Sequence, residues 1–336
     1  MRVVRPADLD DLVIADLVAD RDPLVLVDLD AGGPAVSPPF RPGAVLVGFA
    51  RSRLDGVGLE IASGLDLTLV PAGDERCVVA VTDLDAEIDR LVSSVEGAPL
   101  AAATVPGLLR LTSTASVIDG LTAESLAYSS LLAGPEFQAW LATRRRPRPA
   151  EHHGAAVSLE RTDGRLDVLL NRPQRRNAFS RDLRDGLVEA FDLARLDETI
   201  TRVHVSGAGP AFCSGGDLDE FGTTPDPVTA HLIRIERSVA RRMEEIRDRV
   251  TVYVHGACIG AGIELPAFAG RVLAAPSAWF RLPELAMGLI PGAGGTVSIT
   301  RRIGRWRCAH LALTGAPLDA QTAVEWGLVD ELDHTD

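Results

Sequence analysis

The stretch that decides the fold reads VTVYVHGACIGAGIEL over residues 250–265. Its first five residues are β-branched or aromatic, which favours a strand, and glycines at 256, 260 and 262 follow directly. A strand is predicted at 203–206 and a helix at 230–247, so these elements form a βαβ unit. Such a unit predicts a parallel sheet with its ligand crevice at the carboxyl ends of the strands.

The residues just before this unit predict a hairpin and a helix. Segments 157–162 and 166–171 flank Asp163-Gly164, a pair typical of a tight hairpin turn. A helix is predicted at 181–194. The second half of the chain is therefore expected to be an α/β unit.

The first part of the chain shows strands followed by helices. Short β-rich runs occupy 24–29, 44–49, 65–70 and 77–81, separated by Gly and Pro. Apolar residues at helical spacing then predict a helix at 85–95 with Thr82 as its N-cap, and two more at 121–133 and 136–143. We expect a smaller α+β domain over 1–143.

The sharpest change of composition is RRRPRP at 144–149. Prolines restrict their neighbours to extended backbone and clustered charges repel, which favours a solvated linker. The predicted organisation is a first domain at 1–143, a linker at 144–154 and a second domain at 155–336.

Composition excludes several chemistries. All 34 basic residues are Arg, so a Schiff-base lysine, a pyridoxal-phosphate aldimine and a Walker-A loop are excluded. A formal net charge of −13 argues against nucleic-acid binding. The four cysteines are far apart and the seven histidines show no ligand spacing, so we expect no metal site. Without a signal peptide or a long apolar run, we expect a cytoplasmic protein that does not bind membranes.

Four segments, in a fixed order along the second half of the chain, together form a family pattern. The first is NRP at 171–173 with Asn177-Ala178, and the second is AFCSGGDL at 211–218. The third is HGACIGAGIEL at 255–265, and the fourth is LPEL at 282–285 with GLIPGAGGT at 288–296. Together they resemble the enoyl-CoA hydratase/isomerase (crotonase) superfamily. The resemblance implies a crotonase-like ββα spiral core over about 155–332. LTG at 313–315 and GLV at 327–329 extend it.

The resemblance implies that two backbone amides, those of Gly216 and Ala261, polarise the carbonyl of a coenzyme A thioester. Glycines beside them let the chain approach the thioester, and preorganised amides stabilise an enolate oxygen. Read without the resemblance, these glycines would be turn and packing residues. A dinucleotide-binding motif is excluded, because Leu265 stands where its third glycine would be.

Glu264 and Glu284 are the candidate acid and base, and family members that hydrate enoyl thioesters carry Glu at both matching positions. Glu264 is expected in the first turn of a helix, where the dipole favours the charged form and a base role. Glu284 lies between Leu282-Pro283 and Leu285, an apolar setting that raises the pKa and favours an acid. The alternatives are an ordinary first-turn acid and a surface carboxylate.

Arg172, Arg175, Arg176 and Ala178 are the candidate contacts to coenzyme A, since the family places the ribose-phosphate end near this loop and Arg binds phosphates well. The alternative is a solvated loop. No cofactor is expected beyond the coenzyme A of an acyl-CoA substrate. The family resemblance implies a homo-oligomer, a trimer or hexamer.

The first domain departs from the family pattern. Relatives continue past the equivalent of residue 336 with helices that close the site. In this chain, residues 122–132 and 135–141 of the first domain look loosely like that helical segment. We expect the first domain to be a degenerate crotonase-like half or a lid. An unrelated packing domain is the alternative.

The leading hypothesis is hydration of an α,β-unsaturated acyl-CoA. Isomerisation of a double bond, or cofactor-independent oxygenation of an acyl-CoA, are the alternatives within the superfamily. A weakly catalytic subunit that binds a partner is the alternative outside enzymology.

Overall fold

The computed structural model describes residues 2–11, 21–32, 40–144 and 154–334. Most of the predicted linker at 144–154 therefore lies outside the described residues, and the domain boundaries stay a prediction. None of the helices in the described ranges is long and apolar enough to cross a membrane.

The first region is built on a parallel sheet whose five strands lie side by side in chain order. The strands are β1 (Arg2–Val4), β2 (Leu24–Asp28), β3 (Val45–Phe49), β4 (Leu67–Val70) and β5 (Val79–Ala80). Helix α1 (Gly56–Gly64) connects β3 to β4, and the Asp55 side chain caps it. The four predicted strands are confirmed, and β2 to β4 are almost completely buried because their residues are nearly all apolar.

Helices collect after this sheet, as predicted. They are α2 (Leu84–Gly97), α3 (Pro99–Thr112), α4 (Val117–Leu132) and α5 (Pro135–Ala142). The prediction of Thr82 as the cap of α2 was wrong: the Asp83 carboxylate accepts from the Ala86 N–H instead. Helix α3 was missed because its sequence includes Pro106, which normally disrupts a helix interior.

The second region has nine strands among the described residues: β6 (Val157–Thr162), β7 (Arg165–Leu170), β8 (Arg202–Gly207), β9 (Val250–Val254), β10 (Ala257–Ile259), β11 (Arg271–Ala274), β12 (Trp279–Arg281), β13 (Leu318–Asp319) and β14 (Glu331–Leu332). Six of them form a mixed sheet in the order β14-β11-β9-β8-β7-β6. The other three form a smaller sheet in the order β10-β12-β13. The predicted hairpin is confirmed in β6 and β7, and β7, β8 and β9 are parallel as expected.

The helices of the second region cover this sheet and support the loops at its strand ends. They are α6 (Arg181–Leu196), α7 (Pro227–Glu236), α8 (Val239–Glu245), α9 (Ala261–Glu264), α10 (Gly295–Ile303), α11 (Arg305–Thr314) and α12 (Ala320–Trp326). The single helix predicted at 230–247 was wrong. The chain leaves α7 at Arg237, and the Ser238 side chain caps α8 by accepting from the Arg241 N–H.

The two regions share one hydrophobic core. Side chains of β2 to β4 and of α3 belong to the same buried cluster as those of α10 and α11. Polar contacts cross the same boundary: Thr112 Oγ1 donates to the Thr296 carbonyl at 2.7 Å, and Arg305 Nη1 donates to the Leu65 carbonyl at 2.8 Å. The first region is thus packed against the elements that carry the motif loops.

Candidate active site

The two candidate oxyanion donors, the backbone N–H groups of Gly216 and Ala261, lie on neighbouring segments of the chain. Cys213 pairs with the β10 segment, since its N–H donates to Ala257 at 3.3 Å and its carbonyl accepts from Ile259 at 3.0 Å. Gly216 and Ala261 follow these paired segments. Within the described residues neither N–H donates to a backbone acceptor, so both remain available to a ligand oxygen.

Ala261 is the first residue of the single-turn helix α9 and is 6% exposed. Gly260 before it has φ of +49°, a conformation that favours glycine. A Cβ atom at position 260 would collide with Glu284 Oε1 and lie 3.6 Å from Glu264 Oε1. Gly260 is therefore the point on which both candidate carboxylates converge, next to the Ala261 amide.

Glu264 is 2% exposed and is held by the loop before α10. Its Oε2 accepts from the N–H of Ala293 at 2.8 Å and from that of Gly295 at 2.9 Å. Burial raises the pKa of Glu264 to about 7, and these amides oppose the rise. The expected dipole stabilisation is thus outweighed by burial, because α9 is only one turn long.

Glu284 begins a short 3-10 turn and is 8% exposed. Its Oε2 has no hydrogen-bond partner among the described residues. Burial, followed by the nearby charge of Glu264, raises the pKa of Glu284 well above its usual range. A carboxyl group in this setting keeps its proton to a higher pH than an exposed one, and it can act as a proton donor.

A third buried carboxylate comes from the first region and was missed by the sequence reasoning. Glu124 in α4 is 2% exposed. Its Oε1 accepts from the Gly294 N–H at 2.7 Å, while its Oε2 accepts from the Thr296 N–H at 3.0 Å and from Thr296 Oγ1 at 2.7 Å. Burial and the charge of Glu264 raise the pKa of Glu124 to about 8, and these donors oppose the rise.

Glu124 and Glu264 bind alternate amides of one loop, residues 293–296. Glu264 takes Ala293 and Gly295, and Glu124 takes Gly294 and Thr296. A Cβ atom at position 295 would lie 2.6 Å from Glu264 Cγ, which explains the glycine. One signal could have revealed Glu124: it and Asp119 are the only charged residues in the otherwise neutral α4.

The loop at 172–178 brings the candidate coenzyme A residues together, although two of the arginines already bind carboxylates. Arg172 contacts Asp182 at 2.7 Å, and Arg175 contacts Asp217 at 2.8 Å and Asp219 at 2.6 Å. Exposed Arg176 and half-buried Ala178 lie in the same turn. Arg176 is therefore the guanidinium in this loop most available to a phosphate.

Buried Asn177 shapes this loop. Its Nδ2 donates to the carbonyls of Ala208 at 2.9 Å and Ala211 at 3.0 Å, and its Oδ1 accepts from the Arg172 N–H at 2.8 Å. The sequence reasoning used this residue only as part of a motif. It fastens the loop to the segment that leads to Gly216.

Helix α5 covers one side of the site through aromatic contacts. The Phe137 and Trp140 rings stack at 5.6 Å, and the Trp140 ring meets the Phe221 ring edge-on at 6.0 Å. Phe221 lies against Gly216, since a Cβ atom there would be 2.8 Å from the ring. The first region thus reaches the candidate site from two sides, through α4 and α5.

An open cavity lies beside the 293–296 loop. Phe179, Leu265, Gly294 and Glu124 are among its lining residues. Three arginines also line it, Arg184, Arg234 and Arg237. The cavity lies between α4 of the first region and α6 to α8 of the second.

The chain matches the family described as enoyl-CoA hydratase/isomerase over residues 160–336. It belongs to this family, and the crotonase-like core predicted for about 155–332 is confirmed. Residues before 160 lie outside the match.

Curated relatives share the same part of the chain. It is 36% identical over 171 residues to a 1,2-epoxyphenylacetyl-CoA isomerase of Escherichia coli, covering 49% of this chain and 65% of that protein. It is 32% identical over 171 residues to a 2,3-dehydroadipyl-CoA hydratase of the same organism, covering 51% and 66%. The chain therefore spans slightly less than two thirds of the length of these relatives.

Solved structures show the same fold. An enoyl-CoA hydratase from Thermoplasma volcanium aligns with a TM-score of 0.50 at 30% identity, covering 54% of this chain and 73% of that one. An enoyl-CoA hydratase/isomerase from Marinobacter aquaeolei aligns with a TM-score of 0.50 at 28% identity, covering 54% and 71%.

Proposed function

We propose that this protein adds water across the double bond of an α,β-unsaturated acyl-CoA thioester. The observation that carries the proposal is the convergence of Glu264 and Glu284 on Gly260, beside the free Ala261 N–H. Burial raises the pKa of both carboxyl groups, and the charge of Glu264 raises that of Glu284 further, so the pair is suited to holding one shared proton.

The Gly216 and Ala261 amides would hold the thioester oxygen. When the hydroxide oxygen bonds to the β-carbon, the electrons of the double bond move towards the thioester carbonyl oxygen. The product of this step is an enolate. Two preorganised donors in a site shielded from water stabilise that charge. Loss of one such donor typically costs about 10² to 10³ in rate.

Glu264 is the proposed base and Glu284 the proposed acid. Ionised Glu264 takes a proton from the attacking water, and protonated Glu284 gives its proton to the α-carbon as the enolate collapses. One water is consumed, both of its hydrogens are accounted for, and the two carboxyl groups exchange protonation state. Proton return through solvent restores the starting state.

We propose that no cofactor is needed beyond the coenzyme A that the substrate carries, because water, two carboxyl groups and two amides supply every step. Arg176 is the proposed contact to a coenzyme A phosphate. We also propose a homo-oligomeric assembly, on family resemblance alone.

Isomerisation of a double bond is the second candidate, favoured by the orphaned Glu284 Oε2 and by the isomerases of the family that the chain matches. An enolate protonated at a different carbon would shift a double bond without adding water. Such a reaction needs one carboxyl group able to carry a proton between two carbons. Glu284 has the freedom to do so.

The test is a panel of trans-2-enoyl-CoA thioesters of increasing chain length, followed by loss of the conjugated thioester absorbance. We expect turnover with formation of a 3-hydroxyacyl-CoA identified by mass spectrometry. Deuterium incorporation from heavy water at the γ-carbon without hydration would establish isomerisation instead. Binding without turnover of any thioester would contradict both candidates.

A further inference from the structure

The cavity beside the 293–296 loop borders both halves of the proposed reaction centre. Phe179 pairs with Gly216 as a parallel bridge, so the cavity wall adjoins the first proposed oxyanion donor. Ala293 lines the cavity too, and its N–H binds Glu264. An acyl chain held at the Gly216 amide can therefore extend past Phe179 into this space.

The charge of the cavity does not suit a plain hydrocarbon chain. Arg234 of α7 lies across from α4, where its Nε donates to Ser125 Oγ at 3.1 Å and its Nη2 donates to the Ser125 carbonyl at 3.2 Å and to Ser129 Oγ. Its guanidinium stacks over the Tyr128 ring at 4.8 Å. In the ranges that the structure describes it forms no ion pair.

Glu124 lies in the same cavity wall but does not neutralise Arg234 by direct contact. Both of its oxygens are occupied by donors of the 294–296 segment. Burial lowers the pKa of Arg234, which shows that its charge is poorly solvated. A half-buried cation without a contacting anion is poorly compensated, and an anionic ligand would offset that cost.

Two more guanidinium groups add positive charge. Arg237, at the end of α7, donates its backbone N–H to the Ile233 carbonyl, but its exposed side chain makes no hydrogen bond or ion pair with any described residue. Arg184 is paired with Asp185 at 2.9 Å, and that carboxylate is not part of the lining. In a chain with a formal net charge of −13, an arginine-rich cavity with so little acidic compensation is a local exception.

We propose that the acyl group bound in this cavity ends in a carboxylate, and that Arg234 and Arg237 bind it. This inference rests on the proposed acyl-CoA function and names its substrate class. Among the described residues Arg234 Nη1 and the Arg237 guanidinium have no assigned acceptor, so a terminal carboxylate would gain charge-assisted N–H bonds that a methyl terminus cannot form. The substrates are then enoyl-CoA thioesters of dicarboxylic acids.

The experiment compares two six-carbon thioesters that differ only at the chain end, hexanoyl-CoA and adipyl-CoA. Isothermal titration measures binding of these saturated forms to the full chain, and absorbance measures turnover of their 2-enoyl forms. We expect adipyl-CoA to bind at least about 10-fold more tightly, since bonds to a charged group contribute more than neutral ones.

Variants assign the effect to the arginines. Arg237→Gln and Arg234→Gln should each weaken adipyl-CoA binding about 10- to 100-fold more than hexanoyl-CoA binding. The matched control is Arg241→Gln: this residue is exposed, contacts Glu245 at 3.3 Å and does not line the cavity. Should Arg234→Gln not fold, Arg237→Gln still decides, because it has no described partner to lose.

Three outcomes overturn the inference and are distinguishable. Equal affinity for both thioesters would reject the carboxylate while leaving the proposed function intact. If Arg237→Gln weakened the binding of both thioesters and of free coenzyme A equally, Arg237 would contact the coenzyme A phosphates and not the acyl chain. Absence of binding by either thioester would reject the proposed function itself.

Discussion

Asp66 in the first region and Glu264 in the second are both nearly inaccessible carboxylates, but their surroundings differ. Asp66 accepts from Arg110 at 2.8 Å and from the Leu46 N–H at 2.9 Å, and Arg305 approaches to 3.9 Å. Glu264 has two amide donors and forms no ion pair in the described part of the chain. A structural acid is neutralised by a cation, whereas a reactive one is held without being neutralised.

Glu124 combines features of both regions. It lies in the first region and serves the second, because each of its bonds holds the loop that also holds Glu264. Motif-rich residues after 155 thus carry the proposed acid and base, and a helix before 144 supplies part of their support.

The largest expected effect is that of removing residues 1–149. The deletion would take away Glu124, expose the α10 and α11 surfaces that share a core with α3, and uncover Phe221. We expect an aggregated protein, or activity lower by orders of magnitude. Size-exclusion chromatography and enoyl-CoA turnover measure both, and a soluble, fully active truncation would show that the first region is an accessory module.

The next largest effect is that of Glu264→Gln, compared with Asp66→Asn. The amide keeps the shape of Glu264 but cannot accept a proton, so we expect kcat to fall about 10² to 10⁴-fold with binding retained. Glu284→Gln should behave similarly. Asp66→Asn should lower the free energy of unfolding without a comparable change in kcat. Wild-type turnover in Glu264→Gln would reject its role as base.

The elements of the second region up to residue 254 could mostly be predicted because their signals are local, whereas strands β10 to β14 and helices α10 to α12 were not predicted. Glycines at 260 and 295, the Asp163-Gly164 hairpin turn and the strand at 250–254 each reflect a backbone requirement that one residue type meets. Element bounds agreed closely there. The break between α7 and α8 was missed, since Ser238 looks like an ordinary residue of a polar helix face.

The first region was harder because its decisive contacts are distant in sequence. Glu124 accepts from the amides of Gly294 and Thr296, which lie 170 and 172 residues away in the sequence. The charge of Glu124 in a mostly neutral helix marks it as unusual, but no local pattern shows which amides it binds. The same holds for the Arg234 contacts with Ser125 and Ser129, which only the packing of α7 on α4 creates.

A smaller effect is expected from Glu124→Gln, with Glu136→Gln as its control. Both glutamates accept main-chain amides, but Glu136 bonds to Leu100 and Ala101 within the first region. Gln at 124 places an NH₂ group against an N–H donor, so we expect a loss of about 1 to 3 kcal/mol in stability and a lower kcat. Glu136→Gln should lower stability alone. Equal effects on kcat would remove Glu124 as a positioning residue.

The smallest effect is a change in how stability depends on pH. Burial raises the pKa of three carboxyl groups. It raises that of Glu124 to about 8 and that of Glu264 to about 7, and it raises that of Glu284 well above its usual range. Between about pH 4.5 and 8 the folded state therefore binds more protons than the unfolded state, so these groups make the free energy of unfolding fall as pH rises. The slope is about 1.4 kcal/mol per pH unit for each proton difference. The difference between wild type and Glu124→Gln reports the titration of Glu124 together with its charge interactions with Glu264 and Glu284. Urea unfolding at pH 5 and pH 8 should show a smaller decline in the variant, and parallel declines would mean that Glu124 titrates normally.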